Sequence, residues 1–273
     1  MERTKKLEEY NQYLYQKELS KGPREIYVRQ AKALLDFLGE RDITKQEIMD
    51  YKHQRSQEKF SASTLNLYLV AANCYLKYAG HEECVISIKR IQRRKRLENV
   101  ISVKEYKQML AYAKESGREK YYYIMRTLAL TGIRISELKF FTAEALKQEV
   151  ITVNNKGKIR EVYPSDELRK ELLSYCKQAH IEAGVIFRGN KEQAISRVGV
   201  YKMLVHMADM LGIPKEKARP HSFRHLFAVT YMSCYANLPE LSDLLGHSSL
   251  ETTRIYTTAT VQEIRKKLDE MGL

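Results

Sequence analysis

The sequence has no long apolar run. None of its hydrophobic stretches approaches the roughly 20 residues that a helix needs to cross a bilayer. Residues 1–10 are rich in charged side chains and lack the apolar segment of a secretory signal peptide. We therefore expect a cytoplasmic protein without a membrane partner.

Cysteine is scarce, and its four residues are scattered along the chain: Cys74, Cys84, Cys176 and Cys234. They share neither a CxxC pair nor a Cys/His spacing, so the pattern indicates no zinc site and no disulfide framework. We expect reduced thiols, most of which pack in the interior. No metal and no cofactor is predicted.

Negative charge is in the minority. The 273 residues contain 47 lysines and arginines against 34 aspartates and glutamates, a formal net charge of +13 at pH 7. This excess favours a polyanionic partner, nucleic acid before an acidic membrane, although a basic protein that is merely soluble also fits it. The length suits two modest domains or one large one.

Residues 1–87 show helical periodicity throughout. Apolar residues recur at helical spacing in four segments, and three of these segments end close to a glycine. The segments begin near Arg3, at Pro23, at Thr44 and at Ser61 or Ser63. Four short helices with short connections predict a compact bundle.

Residues 88–100 contain the densest positive run in the chain. The run lies where one helical pattern ends and the next begins at Ser102. A linker lying along a nucleic-acid duplex would neutralise several phosphates and make affinity depend strongly on salt, whereas a linker without contacts would not. We favour the first interpretation and predict six DNA-binding residues: Lys89, Arg90, Arg93, Arg94, Lys95 and Arg96.

Residues 101–273 begin with helices. Ser102 and Glu105 form the pattern of a capping box, and the second helical stretch ends at Gly132. Arg134 then begins a new helix. An arginine at such a corner has either a buried carboxylate partner or an anionic ligand, and the sequence leaves both open.

The pattern changes to alternation over residues 150–163. Apolar and polar side chains alternate on both sides of a turn at 154–157, which predicts a β-hairpin with basic residues near its tip. Further helices are predicted after Ser165 and Ser196. Residues 185–187 are a candidate edge strand.

Three helices in a row are predicted for the last quarter of the chain. The first begins at Pro220, and the second runs from Asn237 to Gly246. Ser248 with Glu251 has the pattern of a capping box that starts the third.

These three helices carry two imidazoles, a guanidinium and a phenol. His221 and Arg224 share one face near a helix start, and His247 lies in the joint between two helices. Tyr256 follows in a polar run, so we expect its ring to point outward or to swing. These groups are suited to holding and attacking a phosphodiester.

Five short stretches resemble the active-site boxes of the tyrosine recombinase family, which includes phage integrases and Xer-type enzymes. They are Thr-Gly-Ile-Arg-Ile-Ser-Glu-Leu from Thr131, Asn-Lys-Gly-Lys from Asn155, His-Ser-Phe-Arg-His from His221, Leu-Leu-Gly-His from Leu244, and Tyr256 itself. Each box alone is weak evidence, but their order and spacing together are specific. The resemblance covers the catalytic half and, more loosely, the N-terminal half.

The resemblance implies the simple two-domain layout of the family. We expect a mainly α fold with a small β-hairpin or sheet (α+β). Residues 1–87 would form a helical, SAM-like core-binding domain, residues 88–100 a basic interdomain linker, and residues 101–273 the catalytic domain with a C-terminal helix.

The resemblance also implies residue roles. Arg134 and Arg224 would hold the non-bridging phosphate oxygens, and His247 would add a hydrogen bond. His221 would assist proton movement at Tyr256 and contact the phosphate. Tyr256 would be the nucleophile that forms a 3′-phosphotyrosyl link.

A lysine of the β-hairpin is implied to protonate the departing 5′ oxygen. Counting back from Pro164 assigns this general acid to Lys156. Lys158 lies two residues away and competes for the assignment, because hairpin loops vary in length.

The implied activity is site-specific strand exchange on double-stranded DNA by a homotetramer, through a Holliday junction. The C-terminal helix, residues 261–268, would dock on a neighbouring protomer or on its own domain. We favour integration and excision of a bacterial mobile element, with action at the nucleoid. Chromosome-dimer resolution, a topoisomerase-like activity and a non-catalytic DNA-binding protein are the alternatives.

Metal chemistry fits the sequence poorly. His221 and His225 could suggest a zinc pair, but the metallopeptidase pattern needs a glutamate where Ser222 stands. A nuclease that uses two metal ions needs clustered carboxylates, and the active-site boxes offer only Glu137 and Asp243. We therefore expect metal-free chemistry.

Overall fold

The computed structural model describes residues 2–88, 99–155, 157–189, 193–247, 249–257 and 269–271, with only the backbone described for residues 2, 3, 155 and 158. The chain divides into two compact units, Met1–Arg94 and Lys95–Leu273. The predicted DNA-binding residues of the linker lie outside the described residues. The domain boundaries expected from the sequence stay a prediction.

The first unit contains the four predicted helices. They are α1 Glu2–Gln16, α2 Lys21–Leu38, α3 Lys45–Gln57 and α4 Ala62–Tyr78, followed by a short 3₁₀ helix at Glu82–Cys84. The side chain of Thr44 accepts a hydrogen bond from the Glu47 N–H at the start of α3. The side chain of Ser61 accepts one from the Thr64 N–H at the start of α4, so Ser61 rather than Ser63 is the cap.

The apolar stripes of these helices form one core. Buried residues recur at helical spacing, and they include Tyr10, Leu14, Leu34, Ile48, Leu69 and Leu76. Each buried leucine or isoleucine of this core contributes roughly 1.5–3 kcal/mol. Asn73 fixes the segment after α4, because its side chain donates to the Ile86 carbonyl at 2.8 Å and accepts from the Ile86 N–H at 3.0 Å.

The second unit contains six α-helices and one hairpin within its described residues. The elements are α5 Val103–Glu115, α6 Glu119–Thr131, β1 Ile151–Asn155, β2 Lys158–Val162, α7 Asp166–Gln178, α8 Arg197–Met210, α9 Pro220–Tyr235 and α10 Leu238–Leu245. The capping box of Ser102 with Glu105 is confirmed at the start of α5. Gly132, with φ 61°, ends α6 as predicted.

The hairpin is antiparallel and has a defined inner face. Ile151 pairs with Val162, and Val153 pairs with Arg160. Ile151, Val153 and Val162 are buried in the main core of the second unit. Because side chains alternate along a strand, Arg160 shares this inner face with Val162.

Two predicted helices differ from the structure. Arg134 precedes a short 3₁₀ helix, Ile135–Phe140, rather than an α-helix. The third helix of the last quarter is replaced by two 3₁₀ helices, Leu250–Thr252 and Arg254–Thr257, and its cap is Ser249. The predicted cap, Ser248, lies outside the described residues. Such short segments settle into tight turns because they offer too few residues for a stable α-helix.

The candidate edge strand at 185–187 is also wrong. Val185 forms only an isolated antiparallel bridge with Thr142. The Ile186 N–H donates to the Phe141 carbonyl. Residues 185–187 nevertheless form no strand in the described part of the chain. A single bridge stabilises a crossing of two loops and not a strand.

Helix α6 lies at the centre of the second unit. It packs against α5, α7, α8 and α9, and Ile124, Met125 and Leu128 are fully buried there. The expected fold class, mainly α with a small two-stranded sheet, is confirmed. Among the described helices, none combines the length and apolar character that a bilayer crossing requires.

Candidate active site

The start of α9 is fixed by its neighbours. Pro220 occupies the first turn, where its missing N–H removes no helical hydrogen bond. The hydroxyl of Ser222 accepts a hydrogen bond from the Ile101 N–H at 2.7 Å and donates to the Asn99 carbonyl at 3.1 Å. His221 therefore lies in a firmly held first turn, and Arg224 follows directly after that turn.

Arg224 is fully buried, with 1% of its surface exposed. Its guanidinium donates to the Gly132 carbonyl at 2.5 Å and to the Leu245 carbonyl at 2.6 Å. One nitrogen also lies 3.0 Å from Nε2 of His247. Nε has no hydrogen-bond partner among the residues that the structure describes. Arg224 thus joins the ends of α6 and α10 and keeps one buried donor free.

Arg134 lies beside a buried carboxylate. Its guanidinium is 3.2 Å from Oε1 of Glu137, and its backbone N–H donates to Oε2 at 2.8 Å. Burial alone would raise the pKa of Glu137, but the Arg134 N–H and the charge of Arg160 outweigh it and hold that pKa below its usual range. The carboxylate partner left open by the sequence is present, and about a third of the Arg134 side chain stays exposed.

Arg160 is a member of the site that the sequence analysis missed. Its guanidinium is 2.7 Å from Oε2 of Glu137 and donates to the Leu244 carbonyl at 2.6 Å. Burial lowers its pKa, while Glu137 acts in the opposite direction. The strand alternation that makes Val162 an inner residue also points Arg160 inward, so the sequence did contain a sign of it.

These groups carry more positive than negative charge. The charges of Arg134 and Arg160 act on Arg224. Within the described residues, Glu137 is the only buried carboxylate beside these three arginines. Burial, followed by the charges of Arg134 and Arg160, lowers the pKa of Arg224 to about 9. The side chain therefore stays charged at neutral pH, and an anion is the ligand that this arrangement favours.

His247 is held at both ring nitrogens. Nε2 faces Arg224 at 3.0 Å, and Nδ1 lies 2.8 Å from the hydroxyl oxygen of Thr253. Because a guanidinium only donates, Nε2 is the acceptor and Nδ1 carries the proton. Burial, then Arg224 and Arg134, lower the pKa of His247 to about 4, so the ring is neutral at pH 7.

Tyr256 is buried, with 9% of its surface exposed. Its ring packs with Ala228, Leu241 and Leu245 in a small apolar cluster. Burial raises its pKa to about 12, although Arg224 acts in the opposite direction. The expectation of an outward or swinging ring was wrong: the polar run forms a 3₁₀ helix that turns the ring into the unit.

His225 contacts Tyr256, and the sequence analysis missed this role. Nδ1 of His225 lies 2.7 Å from the Tyr256 hydroxyl. His221 lies one helical turn earlier, and its ring centroid is 4.5 Å from that of His225 at a steep angle. His221 is exposed, and burial of its inner side, then Arg224 and Arg134, lower its pKa. The four-residue spacing was visible in the sequence, where it suggested only a zinc pair.

Lys156 lies outside the described residues. Lys158 is in β2, but its side chain is not described, so the choice between the two lysines stays a prediction. The C-terminal segment 261–268 is outside the described residues as well. The structure thus brings five of the six predicted catalytic residues into one unit: Arg134, His221, Arg224, His247 and Tyr256.

This set of groups suits transfer of a phosphoryl group to a phenol. Comparison with known proteins agrees: residues 99–263 match the profile of the phage integrase family, and residues 7–83 match that family's N-terminal SAM-like domain. The chain therefore belongs to the phage integrase family. The expected enzyme class, a tyrosine-type DNA strand-exchange enzyme, is confirmed.

Two relatives and a solved structure are similar to this chain over half of its length or more. The tyrosine recombinase XerA of Pyrococcus furiosus is 27% identical over 281 residues, which cover 99% of this chain and 95% of the relative. XerD of Yersinia pestis is 32% identical over 156 residues, about half of each protein. The Tn1549 transposon integrase, solved with circular intermediate DNA, has the same fold: the TM-score is 0.76 at 17% identity, with 97% and 99% of the two chains covered.

Proposed function

We propose that this protein is a site-specific recombinase that cleaves and rejoins DNA strands through a 3′-phosphotyrosyl bond at Tyr256. The observation that carries the proposal is the unbalanced charge of the site. Arg224 is buried without a carboxylate partner among the described residues, and its Nε has no acceptor there. A scissile phosphate would supply both the negative charge and the acceptor.

Arg134 and Arg224, the two arginines of the family pattern, would bind the phosphate. A phosphodiester resists attack because its charge repels nucleophiles, so a catalyst must spread the charge that develops on its oxygens. Nε of Arg224 is closed to solvent, so a phosphate reaches it when the groups around it open, whereas the exposed side of the Arg134 guanidinium is accessible already. Glu137 keeps Arg134 and Arg160 in place from the opposite side.

The two flanking histidines assist at the same phosphate. Nε2 of His247 accepts from Arg224, and Nδ1 faces Thr253. Once a phosphate replaces Nε2 as the acceptor of that guanidinium N–H, the ring can take up a proton at Nε2 and donate it to a phosphate oxygen. His221 is exposed at the first turn of α9, where a phosphate oxygen can reach it. Both rings are close enough to the arginines for the charge of each to affect the other.

The leaving group needs a proton. Departure of the 5′ oxygen as a bare alkoxide is unfavourable, and we assign its protonation to Lys156, with Lys158 as the alternative. The bond between the Tyr256 oxygen and phosphorus stores the energy of the broken phosphodiester. A 5′ hydroxyl of a second strand then attacks this bond and rejoins the strands without ATP.

Double-stranded DNA is the partner that this chemistry requires. The net charge of +13 suits it, and the transposon integrase that shares the fold was solved with DNA. Exchange between two duplexes requires four active sites, so we propose a homotetramer on DNA that acts through a Holliday junction. The C-terminal helix would connect protomers, and the basic linker would lie along the duplex.

The biological role that we favour is integration and excision of a mobile element at the bacterial nucleoid. The fold shared with a transposon integrase supports it. Chromosome-dimer resolution is the alternative within the same chemistry. A non-catalytic DNA-binding protein is less well supported, because the chain retains a suitable residue at each of the six catalytic positions.

Strand exchange between two linear duplexes of different length tests the proposal. Each duplex carries candidate sites from the genomic neighbourhood of the coding sequence, and the reaction contains no ATP. We expect products of recombinant length from the wild type and none from Tyr256→Phe, since that change removes only the attacking oxygen.

Tyr235→Phe is the matched control. Tyr235 lies at the end of α9 with 69% of its surface exposed, so its loss should leave exchange unchanged. Recombinant products from Tyr256→Phe at the wild-type rate would contradict the proposal. Relaxation of supercoiled plasmid without any exchange would favour the topoisomerase-like alternative.

A further inference from the structure

The oxygen of Tyr256 touches a histidine that has no role in the function proposed above. Nδ1 of His225 lies 2.7 Å from that oxygen. The ring centroids of the two residues are 5.6 Å apart with the planes tilted by 53°, so the contact is a hydrogen bond in the ring edge and not a stack. Among the six residues with proposed roles, none makes a described hydrogen bond to this oxygen.

The direction of the hydrogen bond follows from the protonation of both groups. Burial raises the pKa of Tyr256 to about 12, so the phenol is neutral and donates. Burial, then the neighbouring His221 and Arg224, lower the pKa of His225 to about 4, so the ring is neutral and Nδ1 accepts. The proton on the imidazole is then on Nε2.

The surroundings keep His225 in this orientation. Its ring lies edge to face with His221 at 4.5 Å, and its position on α9 is one residue after Arg224, which the carbonyls of Gly132 and Leu245 hold. The helix start is fixed in turn by Ser222. The acceptor therefore stands on a rigid element, while its donor stands on a short 3₁₀ helix.

We propose that His225 is a further catalytic residue, the base that positions the Tyr256 hydroxyl and takes its proton during strand cleavage. As the oxygen–phosphorus bond forms, the O–H bond of Tyr256 breaks and its proton passes to Nδ1 of His225. The bond from phosphorus to the 5′ oxygen breaks, and that oxygen receives a proton from the lysine. In rejoining, the incoming 5′ hydroxyl gives its proton to the lysine amine as its oxygen bonds to phosphorus, the Tyr256 oxygen–phosphorus bond breaks, and the imidazolium of His225 returns the proton to the departing Tyr256 oxygen. The inference rests on the proposed phosphotyrosyl chemistry.

This assignment differs from the role that the resemblance gives to His221. His221 is exposed and contacts the His225 ring, whereas His225 contacts the reacting oxygen directly. His221 stays a phosphate-binding residue. The proton acceptor is therefore assigned to His225, one helical turn after His221 on α9.

Two substrates separate the base from the acid. One suicide duplex has the natural oxygen at the bridging 5′ position of the scissile phosphate, and the other has sulfur there. A thiolate leaves without a proton, so the sulfur substrate no longer needs a general acid but still needs the tyrosine to lose its proton. Single-turnover formation of the covalent adduct is measured on both.

His225→Asn is the principal variant, because its amide oxygen can accept from Tyr256 near the place of Nδ1 but cannot take the proton. We expect a loss of about 100-fold in cleavage rate on both substrates, within the usual range for general base catalysis. Lys156→Ala should lose activity on the oxygen substrate and regain it on the sulfur substrate. The matched control is His206→Asn, because His206 is an exposed histidine on α8. This variant should cleave at the wild-type rate.

Several outcomes overturn the inference. A His225→Asn rate within about threefold of the wild type does so, and so does recovery of this variant on the sulfur substrate, since each excludes a base acting on Tyr256. If the wild type forms an adduct through Tyr256 and His225→Asn matches it, only this inference fails. If the wild type forms no adduct on either substrate, the phosphotyrosyl proposal fails with it.

A measurement without substitution covers the case in which His225→Asn does not fold. The wild-type rate on the sulfur substrate is followed from pH 6 to pH 9. A neutral His225 predicts a nearly constant rate, because the base is already available throughout. A tenfold rise for each pH unit would mean that the tyrosine ionises to solvent before it attacks, which contradicts the inference.

Discussion

Gly246 and Arg160 leave no room between them for a side chain. A Cβ atom at Gly246 would lie 2.3 Å from Cδ of Arg160. Gly246 has φ 61° and ends α10, and Arg160 reaches past it to Glu137 and the Leu244 carbonyl. The turn that presents His247 therefore depends on glycine for both its backbone conformation and its contact with the hairpin.

Gly246→Ala should destabilise the protein by about 2–4 kcal/mol, the sum of a left-handed alanine and an overpacked contact. Gly212→Ala is the control, since Gly212 has φ 65° and open space around it. It should lose only about 1 kcal/mol. Urea unfolding of both variants measures the difference, and equal losses would show that the contact with Arg160 contributes nothing.

Glu137→Gln should leave Arg134 and Arg160 without their shared negative charge. Removal of one partner of a buried ion pair costs roughly 3–5 kcal/mol, and sulfate or DNA should restore part of that stability by supplying an anion. Glu167→Gln removes an exposed partner of Arg126 and should change stability by less than about 1 kcal/mol. Thermal unfolding with and without sulfate tests this, and a Glu137→Gln protein as stable as the wild type would be inconsistent with the charge argument.

Acidic pH should weaken the second unit before its carboxylates titrate. The pKa values of His225 and His247 are lowered to about 4 in the folded protein, while the unfolded chain binds protons near pH 6.5. Unfolding therefore takes up protons between these values, and stability is lost as pH falls through this window.

The groups that set these two pKa values are His221, Arg224, Arg134 and Arg160, together with burial. We expect each ring to lower stability by about 2 kcal/mol between pH 7.5 and pH 5, so about 4 kcal/mol for the two together. His225→Asn should reduce this difference, and His206→Asn should not. Urea unfolding at the two pH values measures the difference in stability. If this difference is the same in His225→Asn as in the wild type, the lowered pKa of His225 is contradicted.

Replacing the linker arginines should weaken DNA binding on every sequence. The variant carries glutamine in place of Arg90, Arg93, Arg94 and Arg96. Its affinity for DNA should fall because it neutralises fewer phosphates. The slope of log affinity against log salt should fall in magnitude by about 0.9 for each phosphate that the variant no longer neutralises. Affinity is measured between low and moderate salt on a candidate site and on an unrelated duplex. An unchanged slope would place this segment away from the phosphates.

Local patterns in the sequence predicted most of the helices. Ser102 with Glu105, Thr44 and Ser61 are caps whose hydrogen bonds form within a single turn, and Gly132 and Gly246 end helices for a reason intrinsic to glycine. Such features need no distant partner, so the sequence is enough to find them.

Contacts between distant segments were harder to predict. Tyr256 and His225 are 31 residues apart, and Arg160 and Leu244 are 84 apart. A polar run gave no sign that Tyr256 packs against α9 and α10, because burial of that ring depends on where the 3₁₀ helix lies. For Arg160 the alternation along β2 was informative, but its carboxylate partner comes from another element.

The central claim is that Tyr256 becomes covalently attached to DNA. The most direct measurement is to trap the protein on a nicked suicide duplex in chelator, digest the adduct with trypsin and nuclease, and identify the modified peptide by mass spectrometry. Cleavage after Arg254 and Arg265 gives a peptide in which Tyr256 is the only tyrosine. We predict a nucleotide linked to this peptide in the wild type and no adduct in Tyr256→Phe. An adduct on another residue, or one that forms equally in Tyr256→Phe, would contradict the account.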